Sequence, residues 1–192
     1  MQVNTYSHLL YAWTYTRLKK CTGSIKKAIL WGSIAPDIPL YALTLGAFIW
    51  FSLILDWSVS DTFTHIFGNL YFSNPVWMAL HNLLHAPLML VIIWLVLFRT
   101  KKRKVIAAFL LSCAFHTFVD ILVHYDDGPL LLFPFNWSVR FFSPISYWDP
   151  AHYGFLVGTI EHIVSFVLLV GLIGYWIWKK YSVSGKKKSK KR

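Results

Sequence analysis

Four long apolar stretches, separated by short polar segments, dominate the pattern of the chain. They cover residues 28–57, 75–98, 105–124 and 153–178. At about 1.5 Å of rise per residue, each stretch is long enough as a helix to cross about 30 Å of hydrocarbon. We therefore predict an all-α fold, a polytopic transmembrane helical bundle with about four spans. A short N-terminal helix over residues 3–18 is expected to precede them.

The first apolar stretch is interrupted by a short segment that holds two prolines. Pro36 and Pro39 flank Asp37 within residues 28–57. Proline lacks the backbone N–H and disrupts the interior of a helix. Broken helices at membrane depth occur where the interrupted backbone is buried in protein or lines a cavity. We therefore predict a broken helix that places Asp37 inside the protein.

The charged residues indicate orientation rather than nucleic-acid binding. Of the 192 residues, 56% are hydrophobic and 14% are charged, and the net charge is +11. Lys and Arg cluster beside the apolar stretches, at residues 99–104 and in the tail. Because such clusters lie on the cytoplasmic side of membrane proteins, we predict a cytoplasmic C-terminus and no nucleic-acid partner. Residues 1–182 are expected to form one integral membrane domain and residues 183–192 a basic cytoplasmic tail.

The third apolar stretch carries a polar stripe. His116, Asp120 and His124 are four residues apart and therefore share one face of a helix. Unpaired imidazole and carboxylate groups are costly in hydrocarbon, so intramembrane residues of this kind mark functional sites. A metal ion is the partner that we expect for them.

Several other polar residues fall at a similar depth. Counted along each helix, Asp37, His85 and His116 lie roughly 15–18 Å from the inner edge of the membrane. The residues within about two turns of that level are His81, Asp120 and Glu161, joined by His8 if the N-terminal helix inserts. The sequence therefore permits all of these side chains to converge.

Imidazole nitrogens and carboxylate oxygens together suit Zn²⁺ or a similar divalent ion. The predicted metal ligands are Asp37, His85, His116, Asp120 and His8. His81 and Glu161 are the candidates for catalytic proton transfer, because a general base must reach the reacting water. An isolated His in a membrane helix more often hydrogen-bonds to a neighbouring group than binds a metal, and this alternative stays open for His8, His124 and His162.

At these residues the chain resembles a family of membrane-bound metal-dependent hydrolases that includes the LexA-regulated inner-membrane hydrolase. The matching positions are His8, residues 32–37 (Gly-Ser-Ile-Ala-Pro-Asp), His81 with His85, His116 with Asp120, and Gly128 with residues 132–135 (Leu-Phe-Pro-Phe). The resemblance implies a hydrolase of the bacterial inner membrane, distantly similar to zinc-dependent phospholipases C. Two positions depart from the family pattern: Pro39 replaces a second acidic residue, and Asn82 replaces a basic one.

These features predict a membrane-embedded hydrolase that uses metal-activated water to cleave an ester, phosphoester or amide bond. A site below the outer surface of the bilayer favours a lipid or lipid-linked substrate. The aromatic connector over residues 125–152 could lie over this site. The connector residues expected to face water are His65, His152, Asp126 and Asp127. Two alternatives stay open: a haem-binding membrane electron carrier, and a metal or proton transporter.

The placement of the basic clusters predicts that residue 102 is reached by thiol reagents only from the cytoplasm. Residue 61, in a connector without Lys or Arg, should be reached only from the opposite side. The measurement is cysteine labelling of Lys102→Cys and Asp61→Cys, with Cys21 and Cys113 first replaced by Ser. Labelling of position 102 from the outside alone would overturn the predicted orientation.

Overall fold

The described part of the chain is helical throughout its regular structure. The structure, a computed structural model, describes residues 4–189 and the side chains of residues 4–181. Its α-helices, in chain order, are α1 (Thr5–Leu18), α2 (Gly23–Gly32), α3 (Ile38–Phe48), α4 (Val59–His65), α5 (Tyr71–Ser73), α6 (Pro75–His85), α7 (Pro87–Leu97), α8 (Arg103–Val123) and α9 (Gly154–Ser189). π-Helical turns follow α3 at Ile49–Ile54 and α4 at Ile66–Leu70, and a 3-10 turn at Pro150–His152 precedes α9. The predicted all-α fold is confirmed for this range.

Two helices in the described range are long and apolar enough to cross a membrane. They are α8 and, over Gly154–Tyr181, α9. The pair of α6 and α7 gives a third candidate if the two helices, bent by 64° at the break between them, form one broken span. Ile38–Ile54 forms a shorter apolar helix. These helices indicate membrane association with two or three spans, and the four-span arrangement is not confirmed.

Two helix breaks, both at prolines, position polar residues at helix ends. The first separates α2 from α3, as predicted, and leaves Asp37 directly before α3. Pro39 is the second residue of α3, where its missing N–H has no helical partner in any case. The second break is at Ala86, whose extended backbone is the conformation favoured before Pro87. His85 is therefore the last residue of α6.

A glycine allows α2 to approach the backbone of α8 closely. A Cβ atom added at Gly32 would lie 2.3 Å from the carbonyl oxygen of Phe109 and 2.8 Å from Cβ of Ser112. The Ser112 hydroxyl donates a 2.7 Å hydrogen bond to the carbonyl of Ile29 on α2. This contact brings the C-terminal end of α2, and the segment that follows it, against the middle of α8.

The connector after α8 packs back onto α6. The backbone N–H of Leu130 donates to Asn82 Oδ1 at 2.7 Å, and Asn82 Nδ2 donates to the carbonyl of Met78 at 2.8 Å. A small apolar core forms from Met78, Ala86, Leu130 and Phe133. Asn82 is thus a buried side chain that anchors the connector.

We expect Gly32→Ala to destabilise the fold by about 1–3 kcal/mol, because the added carbon must push α2 and α8 apart. Thermal unfolding of the purified protein in detergent measures the effect. Gly46→Ala is the matched control, since nothing lies within 4 Å of a Cβ built there. Because alanine favours a helix more than glycine does, Gly46→Ala should leave stability unchanged or raise it slightly. Equal melting temperatures for the two variants would contradict the close packing of α2 against α8.

Candidate metal centre

Four buried side chains from three parts of the chain meet at one point. Asp37 precedes α3, His85 ends α6, and His116 and Asp120 lie one turn apart on α8. None of them is more than 1% exposed. Each offers one ligand atom, and these atoms all lie within 4.8 Å of one another. The structure therefore brings together four of the five predicted ligands, in a group that could hold a metal ion.

The spacing of the donor atoms is close to that of a tetrahedral site. His116 Nε2 lies 3.2 Å from Asp37 Oδ1 and 3.1 Å from Asp120 Oδ2. His85 Nε2 lies 3.4 Å from each of these oxygens and 3.2 Å from His116 Nε2. Metal–ligand bonds of about 2.0–2.1 Å place tetrahedral ligands about 3.3–3.4 Å apart. The five measured distances thus resemble the edges of a tetrahedron around one ion.

Backbone hydrogen bonds fix the tautomer of both imidazoles. His85 Nδ1 lies 3.0 Å from the carbonyl oxygen of His81, and His116 Nδ1 lies 2.8 Å from that of Ser33. Because a carbonyl oxygen can only accept, each Nδ1 carries a proton and donates it. In the neutral imidazole, Nε2 then holds a lone pair. Both histidines therefore present a ligand nitrogen to the group and donate from the other nitrogen, as metal-binding histidines do.

The inner oxygens of the two carboxylates lack hydrogen-bond donors. Asp37 Oδ1 and Asp120 Oδ2 are buried and have no hydrogen-bond partner among the described residues. When both imidazoles are neutral, these oxygens face two nitrogen lone pairs, and a cation among the four electron-rich atoms would remove their mutual repulsion. A divalent ion would neutralise two carboxylates and accept all four lone pairs. The donor set therefore fits a divalent metal in charge and in ligand type.

The outer oxygens of the same carboxylates are held by α1. Asp37 Oδ2 accepts a hydrogen bond from Thr5 Oγ1. His8 Nε2 lies 3.1 Å from Asp120 Oδ1, and the His8 ring stacks on His116 with ring centroids 3.8 Å apart. The structure thus places His8 beside the four-residue group, where it supports one ligand and packs on another. Direct ligation by His8 stays a prediction.

His81 lies outside the four-residue group, next to His85. Its ring centroid is 4.4 Å from that of His85, and its Nε2 lies 3.1 Å from the hydroxyl of Tyr71. Because Tyr71 gives its only proton to the carbonyl of Asp127 at 2.7 Å, His81 Nε2 is the donor to Tyr71. This chain of hydrogen bonds links the neighbourhood of the metal centre to the connector after α8.

Glu161 ties α9 to α1. Its Oε1 accepts hydrogen bonds from Ser7 Oγ at 2.6 Å and from the backbone N–H of Asn4 at 3.2 Å. Its Oε2 is buried and has no hydrogen-bond partner in the described range. The structure does not include Glu161 in the four-residue group, and its catalytic role stays a prediction.

A His–Asp pair that the sequence did not single out lies beyond the end of α8. Because α8 ends at Val123, His124 leaves the predicted helical stripe and has an extended backbone. Its Nδ1 donates to Asp127 Oδ1 at 2.8 Å, and Trp148 Nε1 donates to Asp127 Oδ2 at 2.9 Å. Asp127 is only 5% exposed, so the prediction that it faces water was wrong. The one sequence signal for the pair was the three-residue spacing of two polar side chains in a turn.

The pairing with Asp127 orients the His124 imidazole. Burial raises the pKa of Asp127, but the hydrogen bond and charge of His124 outweigh it and hold this pKa below its ordinary value. The carboxylate accepts the proton on His124 Nδ1, so Nε2 of the neutral ring holds a lone pair. That Nε2 is buried and has no hydrogen-bond partner within residues 4–181. His124 therefore resembles a base held in one orientation by a carboxylate.

No family model, curated protein or solved structure matches this chain. The candidate site therefore rests on this structure alone, on the spacing of the four donor atoms and on the fixed tautomers of His85 and His116. Membership of the hydrolase family stays an expectation.

Asp120→Ala should lower metal content and melting temperature together. The variant loses one ligand, and binding to the folded state adds stability that grows with metal occupancy. Elemental analysis of the purified protein and thermal unfolding with and without a chelator measure both effects. Asp61→Ala is the control, because Asp61 is exposed and its side chain accepts a hydrogen bond from Ser58 Oγ, outside the four-residue group. Full metal content with an unchanged melting temperature would make Asp120 a structural polar residue.

The same measurements separate ligands from supporting residues. His116→Phe should abolish metal binding, whereas His8→Phe, which keeps a ring on His116, should weaken it by about 10–100-fold. Equal losses in the two variants would instead make His8 a ligand.

Proposed function

We propose that the protein is a membrane-embedded, metal-dependent hydrolase that cleaves an ester, phosphoester or amide bond. The observation that carries this proposal is the group of two imidazoles and two carboxylates at tetrahedral spacing. Nitrogen and oxygen ligands together are typical of zinc, whereas magnesium and calcium prefer sites built from oxygen alone. We therefore assign zinc, or an ion of similar chemistry, to Asp37, His85, His116 and Asp120.

The donor spacing argues against the haem alternative. Two axial histidines lie on opposite faces of the macrocycle, about 4 Å apart when each metal–nitrogen bond is near 2 Å. His85 Nε2 and His116 Nε2 are 3.2 Å apart, which leaves no room for a ring between them. Two carboxylates at the same point would also have no role in haem ligation. A mononuclear hydrolytic centre accounts for all four residues.

In the proposed reaction the metal ion supplies the chemistry, and residues of α1 hold the ligand carboxylates in place. When bound, such an ion would have to accept a water or the scissile group as a fifth ligand beside its four protein ligands, and it would then make that water nucleophilic or polarise that group. Thr5 and His8 hold the outer oxygens of the ligand carboxylates, so that the inner oxygens keep one orientation. This support limits the movement of the ligands during the reaction.

Three residues are candidates for proton transfer. His81 and Glu161 were expected from the sequence; the His81 ring lies beside that of His85, and Glu161 accepts a hydrogen bond from Ser7 on α1, the helix that also carries Thr5 and His8. We add His124, which Asp127 orients so that its buried Nε2 can accept a proton. His124 follows Asp120 by four residues and lies just beyond the end of α8, on the side of the connector.

The surroundings of the centre favour a lipid or lipid-linked substrate. On α8, Leu111, Phe115 and Phe118 are 70%, 54% and 57% exposed, while His116 and Asp120 are buried. A small hydrophilic substrate would have to cross this apolar surface to reach the centre, whereas a lipid already lies beside it. We further propose four spans in a bacterial inner membrane, a cytoplasmic C-terminus, and membership of the hydrolase family described above.

We expect the zinc-loaded protein to prefer matched substrates that carry an acyl chain. Esters and phosphodiesters with long chains should turn over at least about tenfold faster than the same compounds without chains, because each buried CH₂ adds binding energy. The assay uses detergent micelles and includes Asp120→Asn, which should be inactive on both. Equal turnover of the chain-free compounds would exclude a lipid-specific site and leave the metal centre intact.

A further inference from the structure

An elongated cavity between α1, α2 and α8 lies directly beside the metal centre. Its volume is about 660 Å³, which is within the range of pockets that hold a drug-sized ligand. His8, Ser33 and His116 line it where the metal ligands meet, and Cys21 and Lys104 line it at the other ends of the same helices. The cavity therefore runs along the helices, from the metal centre toward the basic end of α8.

The walls between these two ends are mostly apolar. On α8 the lining residues recur at one-turn intervals and include Ala108, Leu111 and Phe115. Ile25 and Ile29 line the facing side of α2. Residues at this spacing share one face of each helix, so the cavity is a continuous apolar channel rather than a set of separate gaps.

The length of the channel matches one leaflet of a bilayer. Twelve residues separate Lys104 from His116, which corresponds to about 18 Å along α8. One leaflet of a bilayer has about 15 Å of hydrocarbon, half of the total thickness. An acyl chain of a membrane lipid can therefore extend from the metal centre to the region of Lys104.

A polar atom without a partner marks the end beside the metal centre. His8 Nε2 faces Asp120 Oδ1 as a donor, so Nδ1 of the neutral ring holds a lone pair. His8 is 1% exposed, and its Nδ1 has no hydrogen-bond partner among the described residues. A channel with apolar walls and an acceptor at one end suits an amphiphile whose polar group lies at that end.

A second cavity lacks these features. It lies between α7 and α8, has a volume of about 510 Å³, and is lined by residues such as Leu90, Trp94 and Ala114. None of its lining residues is titratable. It is a groove on the apolar surface that shares Ala107 and Leu111 with the first cavity, and its other lining residues supply an internal control for lipid that simply covers the protein.

We propose that the α1–α2–α8 cavity binds one acyl chain of a membrane lipid. The polar linkage of that chain lies against His8 and the metal centre, and its methyl end points toward Lys104. This inference rests on the proposed function for cleavage of the lipid, but binding of the chain does not require turnover.

The test uses the full-length, zinc-loaded protein in nanodiscs that contain phosphatidylglycerol with a photoreactive diazirine on one acyl chain. Cross-linked peptides are identified by mass spectrometry. We expect more labelling on the cavity walls, for example at Ile25 and Ala108, than on the groove between α7 and α8. Ala108→Trp should lose most of the cavity labelling, whereas Ala114→Trp, the same change on the other side of α8, should retain it.

Ile25→Trp fills the cavity from α2 and provides a second variant if Ala108→Trp does not fold. Zinc content and melting temperature report on folding in each case. Labelling spread evenly over the apolar surface, or cavity labelling unchanged in a folded Trp variant, would overturn the inference. A labelled cavity in a protein that cleaves no lipid would support the inference while the hydrolase proposal fails. Lipid cleavage without cavity labelling would support the hydrolase proposal and overturn the inference that the cavity binds the chain.

Discussion

Two carboxylates and two imidazoles buried at one point form a group that could hold a divalent cation. The four donors lie within 4.8 Å of one another, and backbone carbonyls hold the protons of both histidines on the far side of each ring. Leaving these groups unpaired in an apolar interior would cost more free energy than typical single contacts recover. A bound divalent ion removes that cost. The helix packing around the four residues brings their donor atoms to the spacing that such an ion would need.

This requirement explains where the helices break. One continuous helix can supply ligands at one-turn spacing, as α8 does with His116 and Asp120, but the remaining ligands must approach from other directions. The breaks before α3 and after α6 leave Asp37 and His85 at helix ends, where they can point across the bundle. Gly32 then permits the close approach that brings the end of α2 against α8. Proline and glycine thus act here through the placement of the metal ligands.

The sequence could predict the four-residue group because the depth of a residue in a membrane helix follows from its position along that helix alone. Depth grows by a fixed rise per residue, so Asp37, His85 and His116 could be placed at one level without knowledge of the fold. The His124–Asp127 pair was not predicted because it depends on where α8 ends and on how an irregular connector folds back. The support of Asp120 by His8 was also not predicted, since spacing along the chain cannot distinguish a ligand from a residue that holds one. The predicted four spans are not confirmed, because broken helices such as α6 with α7 and the short Ile38–Ile54 do not qualify as single spans by length.

If the four-residue group binds metal, charge balance favours a single ion. Asp37 and Asp120 together neutralise one divalent ion, and a second ion in a medium of low dielectric would need further negative charge. The other buried acids in the described structure are Glu161 and Asp127. Glu161 accepts hydrogen bonds from α1, and Asp127 accepts them from the connector and His124. Pro39 lies in the first turn of α3 and supplies no further charge. A mononuclear site is therefore the arrangement that these residues can neutralise.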